Sequence, residues 1–312
     1  MNPSYALALK AAEQATGHQE FPLSSLYVVA TPIGNMADIT LRALHTLSIC
    51  DFLACEDTRD TKNLLKNYGI DKPAEAWVAV HQHNESEISP LIINKLAQGA
   101  RIAFLCDAGT PGISDPGAWL VHAVSIAGFK VVPIPGVSSV TTLISASGLI
   151  GISGFIFFGF LSTKSIEREK QIKSFALDPR PTVILEAPHR IEALTKALSL
   201  LGERKVTLGR ELTKQFEQII TLPANLLHSW LLEDQNHQRG EFVVIVHAND
   251  SDTTEPSTSY EDILRILLSE LSVKGSVKLA QLLTGAPKNE LYELALTLNT
   301  KNQMGTPIFL TL

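Results

Sequence analysis

Only three cysteines occur in 312 residues, Cys50, Cys55 and Cys106, an odd number without CxxC or CxxH spacing. That excludes a disulfide framework and a thiolate zinc site. Two of the three lie among apolar residues and read as buried thiols. Long apolar runs are missing too. The longest, Gly154 to Leu161, holds two glycines and falls far short of the roughly 18 residues of a membrane span. Residues 1–25 carry one base, Lys10, and no compact apolar block, so they do not read as a secretory signal. The default compartment is the cytoplasm. GxGxxG, GxxxxGK[ST] and HExxH are all absent, which removes the usual dinucleotide, phosphate-loop and zinc-hydrolase fingerprints. Positive charge is not in excess: 26 Lys and Arg face 32 Asp and Glu, a net charge of −6. On average this is not the footprint of a nucleic-acid binder.

What is present is ordinary globular material, 45% hydrophobic and 19% charged, with 19 Gly and 16 Pro. At about 150 residues per domain the length predicts two domains. Short apolar, β-branched runs alternate with helical patterns. Leu26–Ala30 breaks at Thr31-Pro-Ile-Gly-Asn35, Arg101–Cys106 at Asp107-Ala-Gly-Thr-Pro-Gly112, and Lys130–Ile134 at Pro135-Gly-Val-Ser-Ser139. Such alternation predicts an α/β domain with a mainly parallel sheet. Ligands of such sheets collect beyond the carboxyl ends of the strands, where these three loops fall.

The expected organisation is an N-terminal extension (1–25), a first α/β domain (26–148) and a second α/β domain (149–248). A linker (249–260) and a small helical appendage (261–312) follow. The break at Gly148–Gly154 marks the first boundary, and the polar stretch Asn249–Ser259 reads as the linker. In the second domain Phe155–Gly159, Thr182–Glu186, Val206–Gly209 and Glu241–His247 look like strands, with antiparallel pairs expected. Helical spacing covers 261–271, 276–283 and 288–298, punctuated by Gly275 and Gly285. Two short helices joined by a glycine-containing turn invite a helix-turn-helix reading. A helical hairpin packed on the body or on a partner is the plainer one. The four bases and five acids between 261 and 299 favour the plainer one.

Several segments carry chemistry. Asp107–Gly117 has three Gly, two Pro and two Asp, so it is neither helix nor central strand. Asp115 either faces a cleft or caps a helix. His81-Gln-His-Asn-Glu85 puts His81, His83 and Glu85 on one face if the segment is extended. These could ligate a metal, serve in proton transfer, bind a polar substrate or form a structural network. No further ligand cluster supports a metal, and none is assigned. Cys55-Glu-Asp-Thr-Arg59 places Glu56, Asp57 and Arg59 at a strand end, as a site or a local ion pair. Pro188-His-Arg190 precedes a helix, where an anion is favoured by free N–H groups. Arg210-Glu-Leu-Thr-Lys214 again follows a strand with cations. From 160 to 214 there are eleven bases and seven acids. The acidic average therefore conceals a segment suited to a polyanion.

Taken in order, ATPIGN (30–35), CEDTR (55–59), HQHNE (81–85), DAGTPGISDPG (107–117), PGVSS (135–139), GFL (159–161), PHR (188–190), RELTK (210–214) and GEFVVIV (240–246) form a recognisable series. With them the chain resembles the class III, tetrapyrrole-methylase-like methyltransferases, in their branch acting on small-subunit ribosomal RNA. The resemblance spans roughly Leu26 to Leu298. It implies a homodimer of two-domain α/β subunits with S-adenosyl-L-methionine in the cleft between domains. It also implies 2′-O-methylation of a cytidine ribose in the decoding region of 16S rRNA. The implied cofactor residues are Ile33, Gly34, Gly109, Thr110, Ile113, Ser138 and Ser139. Leu185, Glu186, Gly209 and Gly240 are their counterparts in the second domain. A ribose hydroxyl is a weak nucleophile, so a proton acceptor is sought among His81, His83, Glu85, Glu56, Asp57 and Asp115. Arg59, Arg190, Arg210 and Lys214 are the candidates for phosphate contact. The chain departs from the family pattern at Val137 and Ser162, where proline is usual, and at Leu185, where an aromatic is usual. None of these changes removes an assigned ionisable group.

The fold alone does not choose the substrate. A small-molecule methylase of the same fold would need a closed apolar pocket instead of a cationic rim. A catalytically silent RNA-binding or ribosome-assembly module would bind no S-adenosylmethionine.

Overall fold

The computed structural model describes residues 5–149, 154–248 and 260–303. The expected break at 148–154 thus falls partly, and the expected linker almost wholly, outside the described residues. The chain divides into two compact units, 1–248 and 249–312.

Within the N-terminal extension, helix α1 (Ala6–Thr16) buries Ala12 completely in the first core cluster. Five strands follow: β1 (Ser25–Val29), β2 (Phe52–Cys55), β3 (Trp77–Ala79), β4 (Arg101–Leu105) and β5 (Lys130–Ile134). They order as β3-β2-β4-β1-β5, and every pairing is parallel. Parallel neighbours require crossovers. The crossovers contain α2 (Leu41–Ile49), α3 (Thr58–Asn67), α4 (Glu85–Ala97) and α5 (Ala118–Ile126), and α6 (Ser139–Ala146) follows β5. The two-residue period of the strands divides their side chains. Tyr27, Ala103 and Leu105 pack with Leu44 and Leu47 of α2. Leu26, Ile102 and Phe104 pack with Ile92 and Leu96 of α4 and Leu120 and Val124 of α5. Both faces are covered, as a parallel sheet requires. All three cysteines are buried and free. Burial pushes the Cys50 thiol up to about 12 and Cys55 up to about 11.

The second sheet holds β6 (Ile156–Phe160), β7 (Thr182–Glu186), β8 (Lys205–Arg210), β9 (Gln218–Pro223) and β10 (Phe242–Val246), in the order β6-β7-β10-β8-β9. Within it β6 and β7 are parallel and the other pairings antiparallel. One face packs Ile184, Val206, Leu208 and Val244 against α7 (Ser165–Leu177), α8 (Ile191–Leu198) and α9 (Ala224–Glu233). The other face turns Val183, Val243 and Ile245 toward Val140 and Leu143 of α6 and toward Ile33. That apolar seam joins the two sheets.

Separately, α10 (Tyr260–Glu270), α11 (Val273–Thr284) and α12 (Lys288–Gln303) pack around Leu264, Val277, Ala280, Leu291 and Ala295. Gly275 does not punctuate the helices as expected. It lies in the first turn of α11, and its N–H donates to the Ser272 cap. Gly285, with φ 69°, ends α11 in the left-handed conformation.

Candidate active site

Three loops leave the carboxyl ends of the first sheet and are tied together by hydrogen bonds. Thr31 and Gly109 exchange backbone bonds of 2.9 and 3.0 Å, joining the loops after β1 and β4. The Thr110 hydroxyl donates to the Val137 carbonyl at 3.0 Å, joining the loops after β4 and β5. Facing them are the ends of β6 and β7, the start of β10 and Leu212 from the β8–β9 loop. Between the two walls lies a cleft of about 350 Å³.

Of the eleven residues expected at a cofactor, Ile33, Gly109, Thr110, Ile113, Ser138, Ser139, Leu185 and Glu186 line this cleft. Gly34, Gly209 and Gly240 do not. Each of these glycines gives room to a neighbour instead: a Cβ on Gly34 would lie 2.4 Å from Lys214. One on Gly209 would lie 2.6 Å from Leu143, and one on Gly240 2.4 Å from Glu211. Several lining groups escaped the sequence reading, among them Phe160, Ser114, Leu212 and Glu241. Phe160 and Leu212 stand inside quoted motifs, but which wall they face is a tertiary fact. Backbone strain gathers here. Ser114, Glu211 and Thr213 are non-glycine residues at φ 72°, 51° and 67°, a conformation that persists only where the surroundings enforce it.

Among the six possible proton acceptors, Asp115 alone borders the cleft. Desolvation by the surrounding protein, reinforced by the Asp107 carboxylate, pushes its carboxyl up to about 6. Glu56 and Asp107 are also raised, each mainly by desolvation, and Glu56 feels both aspartates. Asp115 does not cap α5. That place belongs to Glu85, whose Oε2 accepts from the N–H groups of Trp119 and Leu120 at 3.1 and 3.2 Å. The 81–85 segment is accordingly not extended. Asn84 Oδ1 accepts from the His81 N–H at 2.8 Å and its amide donates to the Ala79 carbonyl, closing a turn into α4. His81 and His83 are exposed on that turn while Glu85 is buried, so the three share no face. Asp57 caps α3 through the Arg59 N–H and holds the Arg59 guanidinium with both oxygens, at 3.2 and 2.7 Å. That pairing lowers its carboxyl to about 2, which suits an ion pair better than a proton acceptor.

The expected phosphate contacts separate in the same way. Arg59 is 86% exposed in its side chain and remains paired with Asp57. Arg190 points inward: its Nε lies 2.9 Å from Glu186 Oε1 and its guanidinium donates to the Leu161 carbonyl. Arg210 is buried and donates to Gln218 Oε1 and to the Arg239 and Phe216 carbonyls. Lys214 bridges Glu211 and Glu241 at 2.9 and 3.0 Å. All four are thus engaged within the protein, Arg59 at the surface and the three from the basic segment more deeply, because counting charges does not reveal their partners.

A family model described as tetrapyrrole (corrin/porphyrin) methylases matches residues 25–227. A second, described as the RsmI C-terminal HTH domain, matches residues 254–299. The helix-turn-helix reading, the less favoured one from sequence, thus gains the family match. Among solved structures, diphthine synthase has a TM-score of 0.55 at 15% identity, covering 72% of this chain and 90% of that one. A cobalt precorrin-4 methyltransferase has a TM-score of 0.52 at 15% identity, covering 71% and 94%. At such identities the likeness establishes the fold. Ribosomal RNA small subunit methyltransferase I of Neisseria meningitidis (strain MC58) is 43% identical over 89% of this chain and 94% of its own. The protein of the same name from Pseudomonas aeruginosa is 42% identical over 87% and 96%. That from Vibrio cholerae is 44% identical over 87% and 94%. With the parallel first sheet, the mixed second sheet and the cleft between them, these relatives place the chain in the ribosomal RNA small subunit methyltransferase I family, on the tetrapyrrole methylase fold.

Proposed function

We propose that this protein methylates the ribose 2′-hydroxyl of a cytidine in the decoding region of 16S rRNA, taking the methyl group from S-adenosyl-L-methionine. The observation that carries this reading is the cleft. It gathers the expected donor-binding loops and sets one carboxylate, Asp115, on the same wall.

The cleft's residues fit the donor. Its volume lies within the range of small-molecule sites, about 300–1,000 Å³. Gly109, Ser138 and Ser139 allow a ligand close to the backbone, while Ile33, Val140, Leu185 and Leu212 offer apolar contact. Glu186 Oε2 is buried without a hydrogen-bond partner, an acceptor free for a ligand N–H beside the cleft. When bound, the donor supplies a methyl group on a cationic sulfur, whose C–S bond breaks as the new C–O bond forms. Asp115 holds the hydroxyl proton on its carboxylate as the oxygen reacts. Alignment by the tied loops supplies the remainder of the acceleration.

The test is methyl transfer to isolated 30S subunits and to naked 16S rRNA, read by nucleoside mass spectrometry. A 2′-O-methylcytidine on either supports the proposal. Transfer to neither, with S-adenosylmethionine bound, points to a small-molecule methylase; absence of donor binding points to a silent RNA-binding module. The site of action is the cytoplasm, where its substrate is assembled. No helix among the described residues is long and apolar enough to cross a membrane.

A homodimer is part of the same proposal. Trp119 and Ile126 project from α5 at 68% and 74% exposure, apolar surface of the kind a second copy covers. Sedimentation equilibrium should give twice the chain mass of 33.9 kDa; a mass of one chain at micromolar concentration would remove this part.

A further inference from the structure

Phe160 is the last residue of β6, an edge strand of the second sheet. The residue is 49% exposed although it lines the cleft. The other aromatic in the lining, Phe242, is only 2% exposed. Regular alternation would not put Phe160 there. Phe158 packs into the core on the α7 side, 5.1 Å from the Phe175 ring. With a period of two, Phe160 would follow it to that side. The register shifts between Phe157 and Gly159, so that Phe157 pairs with Val183, Gly159 with Ile184 and Phe160 with Leu185. This bulge inserts one residue and reverses the parity of the strand end. Gly159 makes it possible at φ 75°, a conformation other side chains rarely adopt. Phe160 thereby joins the face of Leu185, which also borders the cleft. Across from it, Ser114 Oγ lies 3.9 Å from where a Cβ on Gly159 would stand, so the segment carrying Asp115 is close by.

We infer that Phe160 is the platform on which the target nucleobase stacks, turned into the cleft by the bulge. The inference rests on the RNA reading above. A ribose whose 2′-hydroxyl reaches a carboxylate on the wall of a cleft has to leave its helical stack, and an unstacked base is commonly held on an aromatic face. An exposed ring next to the proton acceptor supplies that face. Phe160 is a binding residue for the acceptor and takes no part in holding the donor.

The test compares wild-type protein with Phe160→Leu and Phe160→Tyr, measuring kcat and KM on 30S subunits and the S-adenosylmethionine Kd by calorimetry. Leucine keeps apolar bulk and removes the π-face; tyrosine keeps it. Phe160→Leu should raise KM for the subunit about tenfold, in line with base–aromatic stacking. Its donor Kd should stay within twofold of wild type, and Phe160→Tyr should restore KM. An unchanged KM in Phe160→Leu overturns the inference. So does a weakened donor Kd with unchanged subunit KM, which would make Phe160 a donor contact. A wild-type protein that methylates no RNA ribose overturns the RNA reading and the inference with it, whereas normal wild-type transfer with an indifferent Phe160→Leu removes the platform alone.

Discussion

Asp115→Asn should lower kcat by about 10²- to 10⁴-fold, the usual contribution of a positioned proton acceptor, while S-adenosylmethionine still binds. Asparagine has nearly the shape of aspartate and cannot take the proton. With the Asp115 carboxyl held up to about 6, wild-type kcat/KM should be level above that pH. It should fall about tenfold per unit below it, because only the ionised form accepts a proton. That limb should be missing from the residual activity of the variant. Stability should move the opposite way. A carboxyl raised from its ordinary value of 3.8 to about 6 destabilises the folded state once ionised. The penalty is full above about 6 and absent below 3.8, where both states are protonated. Asp115→Asn should therefore melt higher than wild type at pH 7.5, with the gap closing as the pH falls through that window. A variant retaining half of the wild-type kcat would dismiss Asp115 as the acceptor.

Arg190→Met should cost about 3–5 kcal/mol of folding stability, the usual result of removing one partner from a buried ion pair. The Glu186 side chain is 0% exposed and that of Arg190 19%, with 2.9 Å between Nε and Oε1. Burial already raises the Glu186 carboxyl, opposed by the Ala187 N–H and then by the Arg190 charge. Without the arginine it rises further, so the deficit should be larger at pH 8 than at pH 5, where protonation relieves the stranded charge. Chemical denaturation at the two pH values checks this. Adding Glu186→Gln should recover most of the loss. If Arg190→Met instead folds normally and only reduces the salt slope of RNA binding by about one, Arg190 is a phosphate contact after all.

Where a pattern depends on neighbours in sequence, the chain was legible. Lys130–Ile134 is β5 to the residue, and Leu26–Ala30 differs from β1 by one position at each end. Pattern also announced the loops after β1, β4 and β5, because Gly and Pro interrupt strands for local steric reasons. The turn at 81–84 is written in the sequence as well. Asn84 stands before Glu85 and Glu87, the acid-rich first turn of α4, which is a helix-start signal and argues against an extended segment. Partners across the fold were not legible. Nothing near Glu85 in sequence says that it caps α5, 34 residues onward. Nothing near Arg210 says that one of its donors is taken by the Arg239 carbonyl, 29 residues onward. Likewise, the bulge in β6 shows only once β7 fixes the register.

The β8–β9 loop rests on the first loop of the opposite half. The Asn35 N–H donates to the Thr213 hydroxyl at 3.2 Å, and Lys214 fills the space that a side chain on Gly34 would need. The apolar seam of Ile33, Val140, Leu143 and Val243 binds the same two halves beside it. A site fastened in this way behaves as a slot, not as jaws. Its walls hold their spacing before any ligand arrives, so ordering them is part of folding and little is subtracted from affinity at binding. Selectivity then lies in what fits a fixed gap.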